Sequence, residues 1–244
     1  MAIPAITITT GGMGSIIRAR YAILAAAGLL AILVLSLSWP RFQASFHYLP
    51  VDIAINRYYA DREIPSDRLA ILVGFAQQAI GYHDHYRYHD GLSLLHYLQA
   101  IDPYTPGLER RPAYRLAESE AIASLRLAPT QAATWLRLAT IRWILHDEPE
   151  DIIGPWKMSI FTGRTISTQF AYRVDIGLSQ RAFMDAEAVS MLRDQLLLGW
   201  RAKQRSLVQI LARRDRNLVV TRELLADTDP LALADMETWL EKYR

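Results

Sequence analysis

The chain has 244 residues, of which 51% are hydrophobic and 21% are charged, a balance typical of a packed protein and not of a disordered tail. It contains no cysteine, which excludes disulfides, thiolate zinc sites, iron–sulfur clusters and cysteine nucleophiles. The formal net charge is +2, and three of the basic residues, Arg18, Arg20 and Arg41, flank an apolar segment. The remainder is nearly neutral, which argues against a nucleic-acid-binding domain.

An uncharged apolar segment at 21–39 predicts a membrane anchor. As a helix it spans roughly 28 Å, close to the ~30 Å hydrocarbon core of a bilayer. Tyr21 and Trp39 stand at its two ends, where aromatic rings favour the membrane–water interface, and Arg18 and Arg20 precede it. The excess of arginine on this side predicts a cytoplasmic N-terminus, with residues 1–20 as a short flexible segment.

We therefore expect a single-pass protein of a bacterial inner membrane with its main domain, 42–244, in the periplasm. A cleaved signal peptide is the alternative, because Ser36 and Ser38 supply small residues after the apolar run. The run is longer than the usual hydrophobic region of a signal peptide, which favours an anchor that is not cleaved.

Residues 42–244 are predicted to be all-α, because their apolar residues recur at spacings of three and four with almost no alternating pattern. Ser66 is a predicted N-cap, and Asp229 and Pro230 mark the start of the last helix. The predicted helices are 51–60, 67–82, a helix that contains His85 and His89 and ends before Pro103, 114–127, 131–145, 151–161, 167–181, 185–204, 206–213, 217–226 and 230–243.

One stretch, "RLAESEAIASLRLAPTQAATWLRLATIRW", has the pattern of a tetratricopeptide repeat. Small residues let two helices approach, a large tryptophan fills the groove beside them, and a proline marks the boundary between repeats. One period of about 34 residues further on, a boundary near Gly163 and a helix start near Gln169 are predicted. The alternative is a generic all-α bundle. The residues in register are Ala117, Ser124, Pro129, Trp135, Leu138 and Ala139.

The second half resembles a known family. "ESEAIASLRLAPTQAATWLRLA", "GPWKMSIFTGRT", "YRVDIGL" and "LRDQLLLGWRAKQRSLVQILAR" are similar to segments of VpsP-type, membrane-anchored, tetratricopeptide-like proteins of bacterial exopolysaccharide loci. The similarity covers about residues 113–216 as a series of short matches. It implies a non-enzymatic accessory protein in polysaccharide synthesis or export, with no known catalytic residues to transfer.

The segment "YHDHYRYHD" at 82–90 is rich in histidine. On a helix His85 and His89 share a face, and such a pair can chelate a divalent ion. Tyr86 stands where a zinc-protease motif has glutamate, and no third ligand is evident, so a polar helix surface is the favoured interpretation. We expect no metal and no cofactor.

Tyrosines cluster around the same segment, at 82, 86, 88, 97 and 104, with Tyr58 and Tyr59 upstream. Exposed rings of this kind contact proteins or stack on sugars, although core packing is the favoured use for most of them. Basic runs at 111–115 and 213–216 suit solvated helix ends. No nucleophile, P-loop or dinucleotide motif is present.

The sequence thus predicts a membrane-anchored scaffold that contacts other membrane or periplasmic proteins of polysaccharide assembly. The alternatives are an adaptor of another envelope complex, such as a secretion or division apparatus, and a histidine-based metal protein.

Overall fold

A computed structural model describes residues 11–60 and 63–243, and within them the chain forms α-helices and no β-strand. Two short 3₁₀ turns, Ser167–Gln169 and Arg181–Phe183, flank the seventh helix. The helices are α1 (Gly11–Tyr59), α2 (Ser66–Tyr82), α3 (Tyr86–Ile101), α4 (Gly107–Leu127), α5 (Ala132–Leu145), α6 (Pro149–Gly163), α7 (Phe170–Gln180), α8 (Ala186–Arg214), α9 (Val219–Leu225) and α10 (Pro230–Tyr243).

The predicted all-α fold with one long apolar N-terminal helix is confirmed. Among the described residues, one helix is long and apolar enough to cross a membrane, with a mean hydropathy of 2.1 and none of its apolar window buried. The predicted flexible segment 1–20 is only partly described: residues 1–10 lie outside the described residues, and the chain is helical from Gly11.

The prediction of a separate helix at 51–60 is wrong, because α1 continues through Pro40 and Pro50 to Tyr59. A proline inside a helix removes one backbone hydrogen bond and costs about 3 kcal/mol. Tertiary packing offsets this cost: Ala44, Tyr48 and Val51 are buried in a core shared with α2 and α3. The apolar segment therefore continues into the domain as one helix.

Other boundaries differ in detail. Helix α4 begins seven residues before the predicted start and contains Pro112. The predicted helices 185–204 and 206–213 correspond to two helical segments of α8 that meet at a kink, where Lys203 has non-helical backbone. Ser66 is the first residue of α2 and not its cap, whereas Asp229 does cap α10, accepting from the backbone N–H of Ala232 at 3.0 Å.

Each helix packs against its neighbours in sequence, most extensively within the pairs α1–α2, α3–α4, α5–α6 and α7–α8. The largest core lies in α5–α10 around Trp156, Leu192 and Leu196, and a smaller core joins α1, α2 and α3. When each helix packs against its neighbours in sequence, side chains from alternate helices lie along one surface.

The predicted repeat-packing residues lie at the α4–α5 junction. Ala117 and Ser124 are fully buried, and the Ser124 hydroxyl donates to the carbonyl of Tyr86 at 3.0 Å. Trp135 Nε1 donates to the carbonyl of Pro129 at 2.7 Å. Leu138 packs on Ala121 and Leu125 of α4, and Ala139 belongs to the largest core.

Candidate functional site

Five tyrosines from four helices lie near one another around Arg137 of α5, and we call this group the tyrosine surface. Packing brings α1 next to α3, α3 next to α4, and α7 next to α5. The group consists of Tyr58 and Tyr59 of α1, Tyr97 of α3, Tyr114 of α4 and Tyr172 of α7.

The rings form a partly open aromatic surface. The ring centroids of Tyr58 and Tyr59 are 5.7 Å apart, and those of Tyr97 and Tyr114 are 6.1 Å apart in an edge-to-face arrangement. Tyr59 is 62% exposed and Tyr172 is 61% exposed, whereas Tyr58, Tyr97 and Tyr114 are half-buried. Two rings are thus free to contact a partner and three form the floor.

Burial raises the pKa of the half-buried phenols. Desolvation, with smaller contributions from Tyr114, Tyr172 and Tyr58, raises the pKa of Tyr97 to about 12. Desolvation also raises the pKa of Tyr58, with additional effects from Tyr172 and Tyr59. At neutral pH the hydroxyls are therefore uncharged and able both to donate and to accept hydrogen bonds.

Arg137 holds the floor of this surface in place. Its buried guanidinium donates to the backbone carbonyl of Asp90 at 2.8 Å and to Asp90 Oδ1 at 3.0 Å, and Tyr59 lies beside it. The Thr134 hydroxyl donates to the same Oδ1 at 2.6 Å. This network joins α5 to α3, with Tyr59 of α1 beside it, and so fixes the helices that carry Tyr59 and Tyr97.

A second site lies where α1 leaves the membrane segment. It is an open pocket of about 440 Å³ whose polar residues include Arg41, Ser45, Asp52, His83, His85 and Arg87. The Arg87 guanidinium is ion-paired with Asp52, and the Tyr48 hydroxyl donates to the carbonyl of Arg87 at 3.0 Å. The pocket is therefore held by bonds between α1 and the start of α3.

The prediction that His85 and His89 share a helix face is wrong, because His85 precedes α3 as its N-cap in extended conformation. His85 Nδ1 accepts from the backbone N–H of Arg87 at 3.3 Å. Burial lowers the pKa of His85, and the neighbouring His83 and Arg87 lower it further. A neutral imidazole that caps a helix explains this residue without a metal.

His89 lies between two carboxylates. Its Nδ1 is 2.6 Å from Glu120 Oε2, and its Nε2 is 2.9 Å from Asp84 Oδ1. The hydrogen bond to Glu120 raises the pKa of His89, and the bond to Asp84 adds to the effect. Both ring nitrogens are thus occupied. Within the described ranges no group of three or more His, Asp or Glu residues is placed to hold a metal ion.

The predicted membrane-interface residues lie on α1. Tyr21, Trp39 and Arg20 are exposed, as a segment facing lipid requires, and the side chain of Arg18 lies outside the described part of the chain. The ring of Trp39 stacks on that of Phe42 at 5.8 Å.

Sequence reasoning found Tyr58, Tyr59 and Tyr97 but not Tyr114, Tyr172 and Arg137. The members of the tyrosine surface lie on α1, α3, α4 and α7, so no local motif contains them. Only the packing of these helices brings them together.

No family model, curated protein or solved structure matches this chain. The resemblance to the exopolysaccharide-locus proteins therefore stays a prediction.

Proposed function

We propose that this protein is a membrane-anchored, non-enzymatic scaffold that binds a segment of another protein on the tyrosine surface. The observation that carries the proposal is the convergence of tyrosines from α1, α3, α4 and α7 on one surface, with Tyr59 and Tyr172 exposed. Tyrosine supplies large contact area with few rotatable bonds, and its hydroxyl satisfies polar groups of the partner.

A tetratricopeptide-like array is the architecture we propose for the domain. The strongest packing occurs within successive helix pairs, and the small residues Ala117 and Ser124 are buried in α4, as the repeat pattern requires. In such arrays alternate helices line the surface that receives a peptide. The tyrosines of α1, α3 and α7 lie on alternate helices, which supports the same surface as the binding face.

The membrane anchor favours binding by raising the effective concentration of partner proteins. A scaffold fixed to the bilayer by α1 meets other proteins of the same membrane at a higher effective concentration than a free domain does. Because α1 runs without interruption into the domain, the tyrosine surface keeps a defined height above the membrane.

The resemblance supports a role in exopolysaccharide synthesis or export, with partners among the membrane and periplasmic proteins of that machinery and the domain in the periplasm. An adaptor in secretion or division is the second candidate, because the same surface would serve it. The identity of the captured partner separates the two.

The test is photo-crosslinking in living cells. A photoreactive amino acid replaces Tyr172, and the matched control carries it at Tyr104, which is 86% exposed and lies outside the tyrosine surface. We expect a specific adduct from position 172 and none from position 104, and mass spectrometry of the adduct names the partner. Equal labelling from both positions, or no protein adduct from position 172, would overturn the proposal.

A loss-of-binding experiment complements the crosslink. In detergent pull-downs, the double variant Tyr59→Ala and Tyr172→Ala should recover at least about tenfold less partner than the unaltered protein. Each exposed interface tyrosine contributes about 1–2 kcal/mol or more to the free energy of binding. Tyr104→Ala is the control and should retain the partner fully. A double variant that binds as well as the unaltered protein contradicts the assignment.

A further inference from the structure

The pocket beside Arg41 is lined by hydrogen-bond donors and carries an excess of positive charge. Its volume of about 440 Å³ lies within the roughly 300–1,000 Å³ that is usual for ligand pockets in proteins. Two guanidiniums and one carboxylate line it, so one arginine charge has no carboxylate of the pocket to balance it. We call it the Arg41 pocket, and its two walls are α1, with Arg41, Ser45 and Asp52, and the start of α3, with His85, Arg87 and Tyr88.

Arg41 is the cation that has no counter-ion. Its side chain is exposed, and within the described part of the chain its guanidinium has no ion-pair or hydrogen-bond partner. Arg87 instead pairs with Asp52, and its Cζ lies 6.0 Å from the centroid of the Tyr48 ring. The pair uses one terminal nitrogen of Arg87, so other N–H groups of this guanidinium remain available. An anion in the pocket would thus meet one free cation and one that is held in place.

A pair of hydroxyls supplies a further donor. The hydroxyl oxygens of Ser45 and Tyr88 are 3.2 Å apart, and either of them can donate to the other. Because two hydroxyls share one hydrogen bond, one hydroxyl hydrogen is left for a third group. Tyr88 is only 7% exposed, and its ring packs on that of Tyr48 with the centroids 4.7 Å apart. This donor is therefore held by buried packing and does not move freely as a surface side chain does.

His85 presents an N–H group to the same pocket. Its Nδ1 accepts from the backbone N–H of Arg87 at 3.3 Å. Burial lowers the pKa of His85, so the ring is neutral at pH 7 and carries its hydrogen on Nε2. The cap of α3 thus fixes the tautomer in which the second ring nitrogen is a donor.

The pocket opens at the height of the lipid headgroups. With Trp39 at the membrane interface, Arg41 lies about 3 Å and Ser45 about 9 Å further along the axis of α1. The polar layer on each side of a bilayer is roughly 5–8 Å thick. Arg41 therefore lies within the layer that contains the lipid phosphates, and Ser45 lies at its outer edge.

We propose that the Arg41 pocket binds the phosphodiester of an anionic phospholipid, an inference that rests on the proposed membrane anchor. Guanidiniums form charge-assisted hydrogen bonds with phosphate oxygens, often two at once, so Arg41 is the main contact. The hydroxyl pair and His85 Nε2 donate to the same phosphate, and Arg87 adds positive potential. The excess positive charge favours an anionic headgroup over a zwitterionic one. A lipid bound between α1 and α3 would attach the domain to the membrane surface.

Native mass spectrometry of the full chain, released from detergent, tests the inference. The probes are dioleoyl phosphatidylglycerol, dioleoylglycerol, which lacks the phosphate, and inorganic phosphate, each added in a separate titration. We expect one phosphatidylglycerol molecule to bind at least about tenfold more tightly than either of the other probes. Only this probe combines a phosphate for the pocket with acyl chains that pack beside the apolar part of α1.

Two variants and a matched control locate the site. Arg41→Gln should weaken the binding of phosphatidylglycerol at least about tenfold, because charge-assisted hydrogen bonds are lost. The control is Arg57→Gln, which removes the same charge from an exposed position on α1 about 24 Å further along the helix axis and should not change binding. The double variant Ser45→Ala and Tyr88→Phe removes both hydroxyls and leaves neither without its partner, so it should fold normally and bind several-fold more weakly.

Three results would overturn the inference. The first is an equal loss of binding in Arg41→Gln and Arg57→Gln, and the second is unchanged binding in the folded double variant. The third is dioleoylglycerol or inorganic phosphate that binds as tightly as phosphatidylglycerol; in the case of inorganic phosphate, the pocket is a site for the free anion. Loss of the crosslink from position 172 with lipid binding intact would contradict only the proposed scaffold, and the reverse result would contradict only the lipid site.

Discussion

Arg137 and Arg173 are both buried in this protein, but their surroundings differ. Arg137 joins α5 to α3 of the N-terminal region through the carboxylate of Asp90, which is one-third exposed. Arg173, in the C-terminal core, donates only to neutral oxygens, including those of Ser159, Gln169 and Gln195. Burial accordingly lowers the pKa of Arg173 to about 10.

The difference separates the two regions. The N-terminal region, α1–α4, combines a small apolar core with charged and aromatic contacts that reach the surface. In the C-terminal region, α5–α10, apolar packing and backbone carbonyls surround Arg173. Its hydrogen bonds link α7 to α6 and α8. A buried cation without a counter-ion depends on every one of its hydrogen bonds.

The largest expected loss of stability comes from replacing Arg173, and it tests the contrast between the two arginines directly. Arg173→Met should lower the free energy of unfolding by at least about 3 kcal/mol, because several buried oxygens lose their donors and each costs about 1–3 kcal/mol. Arg137→Met should cost less, about 1–3 kcal/mol, since Asp90 keeps its bond to Thr134 and reaches water. Urea denaturation of both variants measures the difference, and equal losses would refute the contrast.

A glycine in each region sharpens the comparison. A methyl group at Gly91 would overlap the Tyr48 hydroxyl, which is fixed by its bond to Arg87, so Gly91→Ala should destabilise α1–α3 packing by about 1–3 kcal/mol. At Gly177 the nearest atom is Leu192 Cδ1 at 2.5 Å, the end of a side chain that can rotate, so Gly177→Ala should cost less.

Gly74→Ala is the matched control. No atom lies within 4 Å of a Cβ at this position inside α2, and the substitution should stabilise the helix by about 0.5–1 kcal/mol. Thermal unfolding of the three variants should rank Gly74→Ala highest and Gly91→Ala lowest. Any other order would show that the α1–α3 contact adjusts more freely than its geometry indicates.

Near neutral pH, His89 should make the stability of α3 and α4 depend on pH. The raised pKa of His89 means that its stabilising effect is fully present below about pH 6.5, the unfolded value, and is lost as pH rises through the folded pKa. One proton gives a slope of at most about 1.4 kcal/mol per pH unit. Hydrogen exchange at pH 6 and pH 8 should show faster opening of α3 and α4 at the higher pH.

His89→Gln is the variant for that measurement. Glutamine keeps one hydrogen bond and does not titrate in this range, so the difference between the two pH values should disappear from α3 and α4. If the difference persists in His89→Gln, a group other than the imidazole between Asp84 and Glu120 carries it.

The smallest expected loss of stability comes from removing an ion pair at the surface. Arg115 donates to Asp147 at 2.7 Å and 3.0 Å, but its side chain is 44% exposed. Solvent screening reduces the contribution of such a pair, so Arg115→Ala should cost less than about 1 kcal/mol, and added salt should reduce the loss further. If Arg115→Ala lowers the free energy of unfolding as much as Arg137→Met does, the Arg115–Asp147 pair stabilises the fold despite its exposure.

Much of the fold was predictable from local pattern. The spacing of apolar residues predicted helices α5, α6 and α10 to within about two residues, and the apolar run predicted the anchor, because both depend on which residues prefer water. The end of α1 was not predictable. Prolines at 40 and 50 indicate helix breaks locally, and only the packing of Tyr48 and Val51 against α2 and α3 decides otherwise.

For the candidate site, too, the sequence indicated some of the residues but not their arrangement. Tyr58, Tyr59 and Tyr97 were recognisable as candidates from their residue type, and His85 and His89 as neighbours in sequence. Their geometry was not, because the chain leaves the helix between His83 and His85 and turns the two rings to different partners.

By itself the sequence determined a helical, cysteine-free chain with one apolar segment, since composition and periodicity act over a few turns of helix. Tertiary structure alone decided the tyrosine surface, the cage around Arg173 and the carboxylates around His89. Each of these joins residues from different helices, and their meeting depends on how the helices pack, which no local pattern of residues contains.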